Sequence, residues 1–355
     1  MIGLDIGTTA VKAAQVQRKG SGYVVTGLAR AGIGRASARA DTTTATVEAI
    51  RKCLYLLRGP KQVVCGLSGP EVAVRLFDLP ALPKRRLASA VEMEAAQVSP
   101  FDLQEAAVAF QVLHGAVSKA SRLRSAGGTP ATPNNRTTGL LVAAKKDAIA
   151  RLQDLCAQAK ARCTLVDVDG LALLNCLEAC ALRQPGQTIL ALNIGSAYTN
   201  LAVLSDDGQP FVQDIAYAGE GIVAQVGQSL ETAPDAVVGA LSGLEKPGLE
   251  PATLQAAVQK ACAALAERVL ETVRYHGARQ AGAGVDKILL CGGLAEAGPV
   301  VETLATLLEG KVERWNPLAS LRSTRAVRKS GLAEHGPLFA VALGLGMRSV
   351  RDVQD

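Results

Sequence analysis

The feature that most constrains this chain is an internal repeat. IGLDIGTTAVKAAQV at residues 2–16 lies over LALNIGSAYTNLAV at 190–203, about half a chain length away. Asp5 falls on Asn193, Gly7 on Gly195 and Thr8 on Ser196. Each copy reads as an apolar strand, a polar residue near its tip, a glycine turn with a hydroxyl, and a second strand. A chain with one such hairpin in each half is a duplicated domain. Two glycine-tipped hairpins facing each other form a clamp.

The residue types suit phosphate. Glycine lets main-chain N–H groups come close to phosphate oxygens. Thr8, Thr9, Ser196 and Thr199 supply short hydroxyl donors. Asp5 can orient the waters that a magnesium ion keeps around it. Lys12 is a point charge for a phosphate. A third glycine turn, ILLCGGLAEAG, ends a strand and opens a helix. Gly292 and Gly293 there let a flat base or a phosphate lie on the backbone. No Walker A pattern, no G-x-S-x-G elbow and no H-E-x-x-H is present, so classes built on those motifs are set aside.

Between the hairpins, strand and helix patterns alternate, which makes the chain α/β. Strands are expected at QVVCGLSG, VAVRLFDLP, AAVAFQVL, GLLVAAK and CTLVDVD, and helices at 43–58, 84–99, 145–161 and 170–183. Helices dominate 219–281, and GPLFAVALGLGMRSV is a closing apolar helix. Residues 118–138, rich in Gly, Pro, Ser and Thr and basic, read as a mobile loop. Aromatics are 3% of the chain, so its cores are built from Ala, Val, Leu and Ile. The eight cysteines form no CxxC pair and follow no secretory signal, which fits a reduced cytoplasm and small core residues rather than zinc. No run of eighteen apolar residues exists, so no membrane span is expected. The net charge of +6 suits an acidic lipid, an acidic partner or simply a solvated surface. No basic stripe is interleaved with aromatics, so no nucleic-acid partner is expected.

The two hairpins and the Gly-Gly turn, in that order, resemble the phosphate 1, phosphate 2 and adenosine elements of the actin-like ATPase superfamily. Within it the chain is similar to the PilM family of type IV pilus assembly proteins. GLDIGTTAVKAAQV, ALPKRRLASAVEMEAAQVSPFDLQEAAVAFQVL, VERWNPLASL and PLFAVALGLGMR carry that resemblance, which runs along nearly the whole chain. It implies an actin-like (ribonuclease H-like, duplicated) bilobed fold. The first lobe would span 1–168, with a small inserted α+β subdomain over about 83–168. The second would span 169–355, with a helical subdomain over about 219–285 and the closing helix 336–349 returning to the first lobe. ATP and Mg are the implied cofactors, held by Gly7, Thr8, Thr9, Lys12, Gly195, Ser196, Thr199, Gly292 and Gly293, with Asp5 on magnesium through water. The implied partners are the cytoplasmic N-terminal tail of a PilN-type inner-membrane protein, in a groove near the insert and the 84–101 helix, and other platform proteins. The location is cytoplasmic, peripheral at the inner membrane. A homo-oligomer stays open.

Two departures bear on activity. Asn193 stands where the superfamily usually has Asp, keeping hydrogen bonding but losing the charge and any role as base. PDAVVGALSG puts Val237 and Ala240 where the family often places a Glu and a Lys on adenosine. Slow ATP hydrolysis, binding without turnover and no nucleotide all stay open, and no catalytic residue is assigned. Alternatives on the same fold are a sugar or small-metabolite kinase, an FtsA-like filament protein, and the equivalent component of a type II secretion platform.

Overall fold

The computed structural model describes residues 1–34, 39–59, 61–113, 136–205, 209–243, 250–279, 284–308 and 311–348. Its first sheet holds β1 (Ile2–Ile6), β2 (Ala10–Lys19), β3 (Gly22–Gly32), β4 (Gln62–Leu67), β8 (Arg162–Val168) and β14 (Arg322–Ser323), in the order β14-β3-β2-β1-β4-β8. A second holds β9 (Ile189–Ile194), β10 (Thr199–Leu204), β11 (Phe211–Ile215), β12 (Lys287–Gly292) and β13 (Lys311–Arg314), in the order β11-β10-β9-β12-β13. The duplication is therefore visible in the topology, with β14 an additional edge strand of the first sheet. In both sheets three antiparallel strands made by consecutive hairpins are followed by two parallel ones.

A third sheet, β5-β7-β6, is built from β5 (Val72–Pro80), β6 (Ala106–Val112) and β7 (Arg136–Lys145), with α2 (Lys84–Val98) packed on it. The strands of this sheet begin at Val72 and end at Lys145. Among the described residues β5 pairs only with β7, and β8 is an edge strand of the first sheet. Of the loop expected at 118–138, residues 118–135 lie outside the described residues and 136–138 begin β7.

The outer face of the first sheet is covered by α1 (Arg39–Leu57) and α3 (Lys146–Gln158). That of the second sheet is covered by α5 (Gly219–Ser229), α6 (Pro234–Leu241), α7 (Pro251–Arg279) and α8 (Gly298–Leu307). Cys65, Cys156 and Cys163 bring their sulfurs within 4.8 Å of one another in the first of these layers. After the short α9 (Arg325–Arg328), the chain ends in α10 (Ala340–Met347).

Two helices, α4 (Asp169–Ala179) and α10, lie between the sheets and join them in one core. That core takes Ala14 and Val16 from the first sheet, Ile189 and Ala191 from the second, Leu173 from α4 and Leu343 from α10. Every residue of α10 is buried, as expected of a helix that is apolar all round. Its glycines bring backbone onto backbone. A Cβ on Gly344 would lie 1.8 Å from the Ala172 carbonyl oxygen, and one on Gly3 would lie 2.0 Å from the Ala342 carbonyl oxygen. Arg348 Nε then lies 2.8 Å from Asp167 Oδ2, tying the end of α10 to the end of β8.

Candidate functional site: the cleft and the groove beside it

The two hairpins turn alike. Gly7 N–H donates to the Ala10 carbonyl at 3.1 Å, and Gly195 N–H to the Tyr198 carbonyl at 3.1 Å. Strand register sets Asp5 opposite Lys12, and Asn193 opposite Asn200. Lys12 Nζ donates to Asp5 Oδ2 at 2.8 Å, and Asn193 Nδ2 to Asn200 Oδ1 at 2.7 Å. One cross-strand pair is thus ionic in the first lobe and a neutral amide pair in the second. Sequence reasoning missed Asn200, although carrying the repeat four residues past Ser196 places it on Lys12.

The expected site residues divide. Thr8 and Thr9 are exposed at the first tip, and Gly7 is half-buried below them. Gly195 and Ser196 form the second tip. The N-terminus of α5 closes on it, with Gly219 N–H donating to the Gly195 carbonyl and Glu220 N–H to the Ser196 carbonyl. Ser196 Oγ donates to Glu220 Oε1 at 2.8 Å, so a carboxylate stands beside this turn. Thr199 is not at the tip. It is fully buried, and its Oγ1 donates to the Tyr217 carbonyl at 2.8 Å. Expected to supply a phosphate donor, Thr199 occupies the inward strand position matched by the core residue Val11 in the first copy. Gly292 ends β12 at φ +88°, and a Cβ there would meet Asn193 Oδ1 and the Ile194 carbonyl oxygen at 2.6 Å. Gly293 follows it, exposed. Val237 is fully buried in the second-lobe core.

Two carboxylates that carry no motif complete the cleft. Asp169 opens α4, with Oδ1 so close over Gly66 that a Cβ there would lie 1.8 Å away. Burial, then the neighbouring charge of Asp5, push its carboxyl up to about 8. Asp214 comes from β11. Its Oδ1 accepts from Asn200 Nδ2 at 2.7 Å and its Oδ2 from Gly69 N–H at 2.6 Å, while burial raises its carboxyl. Lys12 offsets part of the repulsion on Asp169. The oxygens of Asp5, Asp169 and Asp214 do not all come within 4.8 Å of one another, so these carboxylates around one lysine suit magnesium only through the waters it keeps.

Beside the cleft lies an open groove of about 750 Å³. The five consecutive residues Val72–Leu76 line one side and Pro210–Asp214 the other, with Phe101 and Tyr275 at its walls. A run of consecutive strand residues can line a groove only edge-on, and β5 and β11 are both edge strands.

The family model for the type IV pilus assembly protein PilM matches residues 3–350. The chain belongs to the PilM family. Among solved structures, this PilM-family chain is similar to the PilM-PilN type IV pilus biogenesis complex, at 23% identity and a TM-score of 0.77, over 98% of this chain and 97% of that one. It is also similar to the ethanolamine utilization protein EutJ from Carboxydothermus hydrogenoformans, at 12% identity and TM-score 0.51, over 98% of this chain and 89% of that one. A diol dehydratase-reactivating factor in nucleotide-free form matches at 10% identity and TM-score 0.53, over 97% of this chain and 98% of that one. At these identities the likeness is one of fold: the PilM-family chain has the actin-like ATPase fold its hairpins implied. Among the described residues no helix is long and apolar enough to cross a membrane.

Proposed function

We propose that this chain is a cytoplasmic adaptor of a type IV pilus assembly platform. In this reading it holds the cytoplasmic N-terminal tail of a PilN-type inner-membrane protein in the groove between β5 and β11. The groove carries the proposal: two strand edges that, among the described residues, pair with no further strand lie on either side of it and are a template for an extended peptide. Main-chain hydrogen bonds would give affinity there, and Phe101 and Tyr275 would grip side chains. The test is fluorescence anisotropy with a labelled synthetic PilN-type N-terminal peptide. Tyr275 is 54% exposed, and its ring contacts Phe211, which packs against the second-lobe core. Tyr275→Ala and Phe101→Ala should each weaken binding by about tenfold, as loss of an aromatic anchor does, at unchanged melting temperature. A peptide that does not bind, or binds both variants as well as wild type, removes this reading.

The cleft is proposed as a nucleotide site. Lys12 and the turns at Gly7–Thr9 and Gly195–Ser196 would hold phosphates, and Gly292–Gly293 would lie under the base. Asp5 and Asp169 would hold magnesium through water, and the ion when bound would neutralise phosphate charge. Asn193 cannot accept a proton as Asp would, so turnover is expected to be slow or absent. Calorimetric titration with ATP and magnesium should show binding that Lys12→Ala weakens by at least about tenfold. No heat from folded wild-type protein would make the repeat an inherited scaffold and leave the groove as the working surface.

A further inference from the structure

At the end of the first-lobe sheet away from the cleft, charge collects in one sign. β4 and β8 start there, at Gln62 and Arg162, and run about 20 Å before reaching the cleft. α1 and α3 both end there. These four ends bring together Arg51, Lys52, Arg58, Lys61, Lys160 and Arg162, all exposed. Arg162 N–H donates to the Lys61 carbonyl at 2.7 Å, and Arg51 Nη2 donates to the Gln158 carbonyl at 2.6 Å. Arg51, Tyr55, Lys61 and Lys160 line one open depression of about 440 Å³.

Two observations separate this patch from an ordinary solvated surface. No Asp or Glu occurs between Glu48 and Glu71, or between Asp154 and Asp167. Among the described residues none of the six cations is paired with a carboxylate, whereas Lys12, Arg136, Arg151, Lys287, Arg314 and Arg348 all are. The patch carries a charge equal to the chain's whole formal surplus of +6. Within it, Tyr55 is 81% exposed and Leu56 53% exposed. A tyrosine and a leucine ringed by unpaired cations have the composition of an interfacial anchor.

We infer that this end of the first lobe rests on an anionic bilayer surface, the cations on lipid phosphates and Tyr55 and Leu56 in the headgroup layer. Single-stranded nucleic acid is less suited, because it needs several aromatic platforms for its bases and the patch offers one. The contact leaves the cleft and the groove open, and it involves no partner peptide.

The test is flotation of the full chain with vesicles of about 30 mol % phosphatidylglycerol in phosphatidylcholine, against phosphatidylcholine alone. Binding is expected only to the anionic vesicles, with release as salt shortens the screening length. Each cation removed should weaken partitioning by about fivefold, so Arg51→Glu/Lys61→Glu/Lys160→Glu should lower it at least about 100-fold. Tyr55→Ser/Leu56→Ser should lower it about tenfold with every charge kept. Lys260→Glu/Arg274→Glu/Lys329→Glu, the same change of net charge at exposed sites outside the patch, should leave it intact. All these side chains are exposed, and circular dichroism verifies the fold of each variant. Failure to float with anionic vesicles overturns the inference, as does equal loss in this control set. A patch that retains an oligonucleotide or polyglutamate but not vesicles overturns the choice of lipid.

Discussion

Gly344→Val should leave no stable fold, and Gly344→Ala should cost at least about 4 kcal/mol, the range reached when a core has no room to yield. Even alanine would set its Cβ 1.8 Å from the Ala172 carbonyl oxygen. The obstacle is backbone in the first turn of α4, so no side-chain rotation relieves it. Moving α10 away would in turn uncover Gly3, whose own missing Cβ admits the Ala342 carbonyl. Gly32→Ala is the control: nothing lies within 4 Å of a Cβ there, so its effect should stay within about 0.5 kcal/mol. Urea melts of the three variants measure this directly. If Gly344→Ala melts with wild type, the helix crossing is looser than described and the shared core does not depend on it.

The second large effect is a dependence of stability on pH set in the cleft. The Asp169 carboxyl sits at about 8 in the folded chain, against about 4 for a free aspartate. Between those values the folded chain binds a proton that the unfolded chain does not. The resulting stability is fully present below about pH 4 and is lost as pH rises through about 8. Asp214, also raised by burial, acts in the same direction. Raising pH from 6 to 8 without metal should therefore cost about 2 kcal/mol through Asp169 alone. Asp169→Asn should flatten the profile and be the more stable protein at pH 8. Thermal melts across that range measure both. A wild-type profile as flat as the variant's would mean that the cleft carboxylates are far better solvated than their burial implies.

Much of this was legible in the residues. The repeat located both hairpins, and its glycines fixed two turns of the same geometry. Strand and helix periods placed the main elements, though α1 begins at Arg39, earlier than the expected 43, because its first turn is polar and carries no apolar stripe. What the residues do not show by themselves depends on pairing across the chain. β5 has the alternation of any first-lobe strand, and only its partner β7 shows that it belongs to the insert. Thr199 carries a hydroxyl of the kind that suits phosphate, yet its parity along β10 turns it inward. Asp169 and Asp214 belong to no motif. They become neighbours only because α4 starts at the interlobe seam and β11 edges the opposite sheet. The family, by contrast, was readable from short segments spread along nearly the whole chain, and the match over residues 3–350 bears this out.

Asp214 has one carboxylate but two faces. Its Oδ1 side belongs to the amide chain running from Asn193 through Asn200 in the cleft. Its Oδ2 side holds the Gly69 N–H, and both residues line the groove. Whatever occupies either place therefore acts on the same titrating group. Thermodynamics then requires symmetry: a ligand in the cleft that tightens the groove's grip by some factor must itself be gripped tighter by that factor once the groove is filled. The two chambers have a party wall, and any signal through it travels equally well both ways.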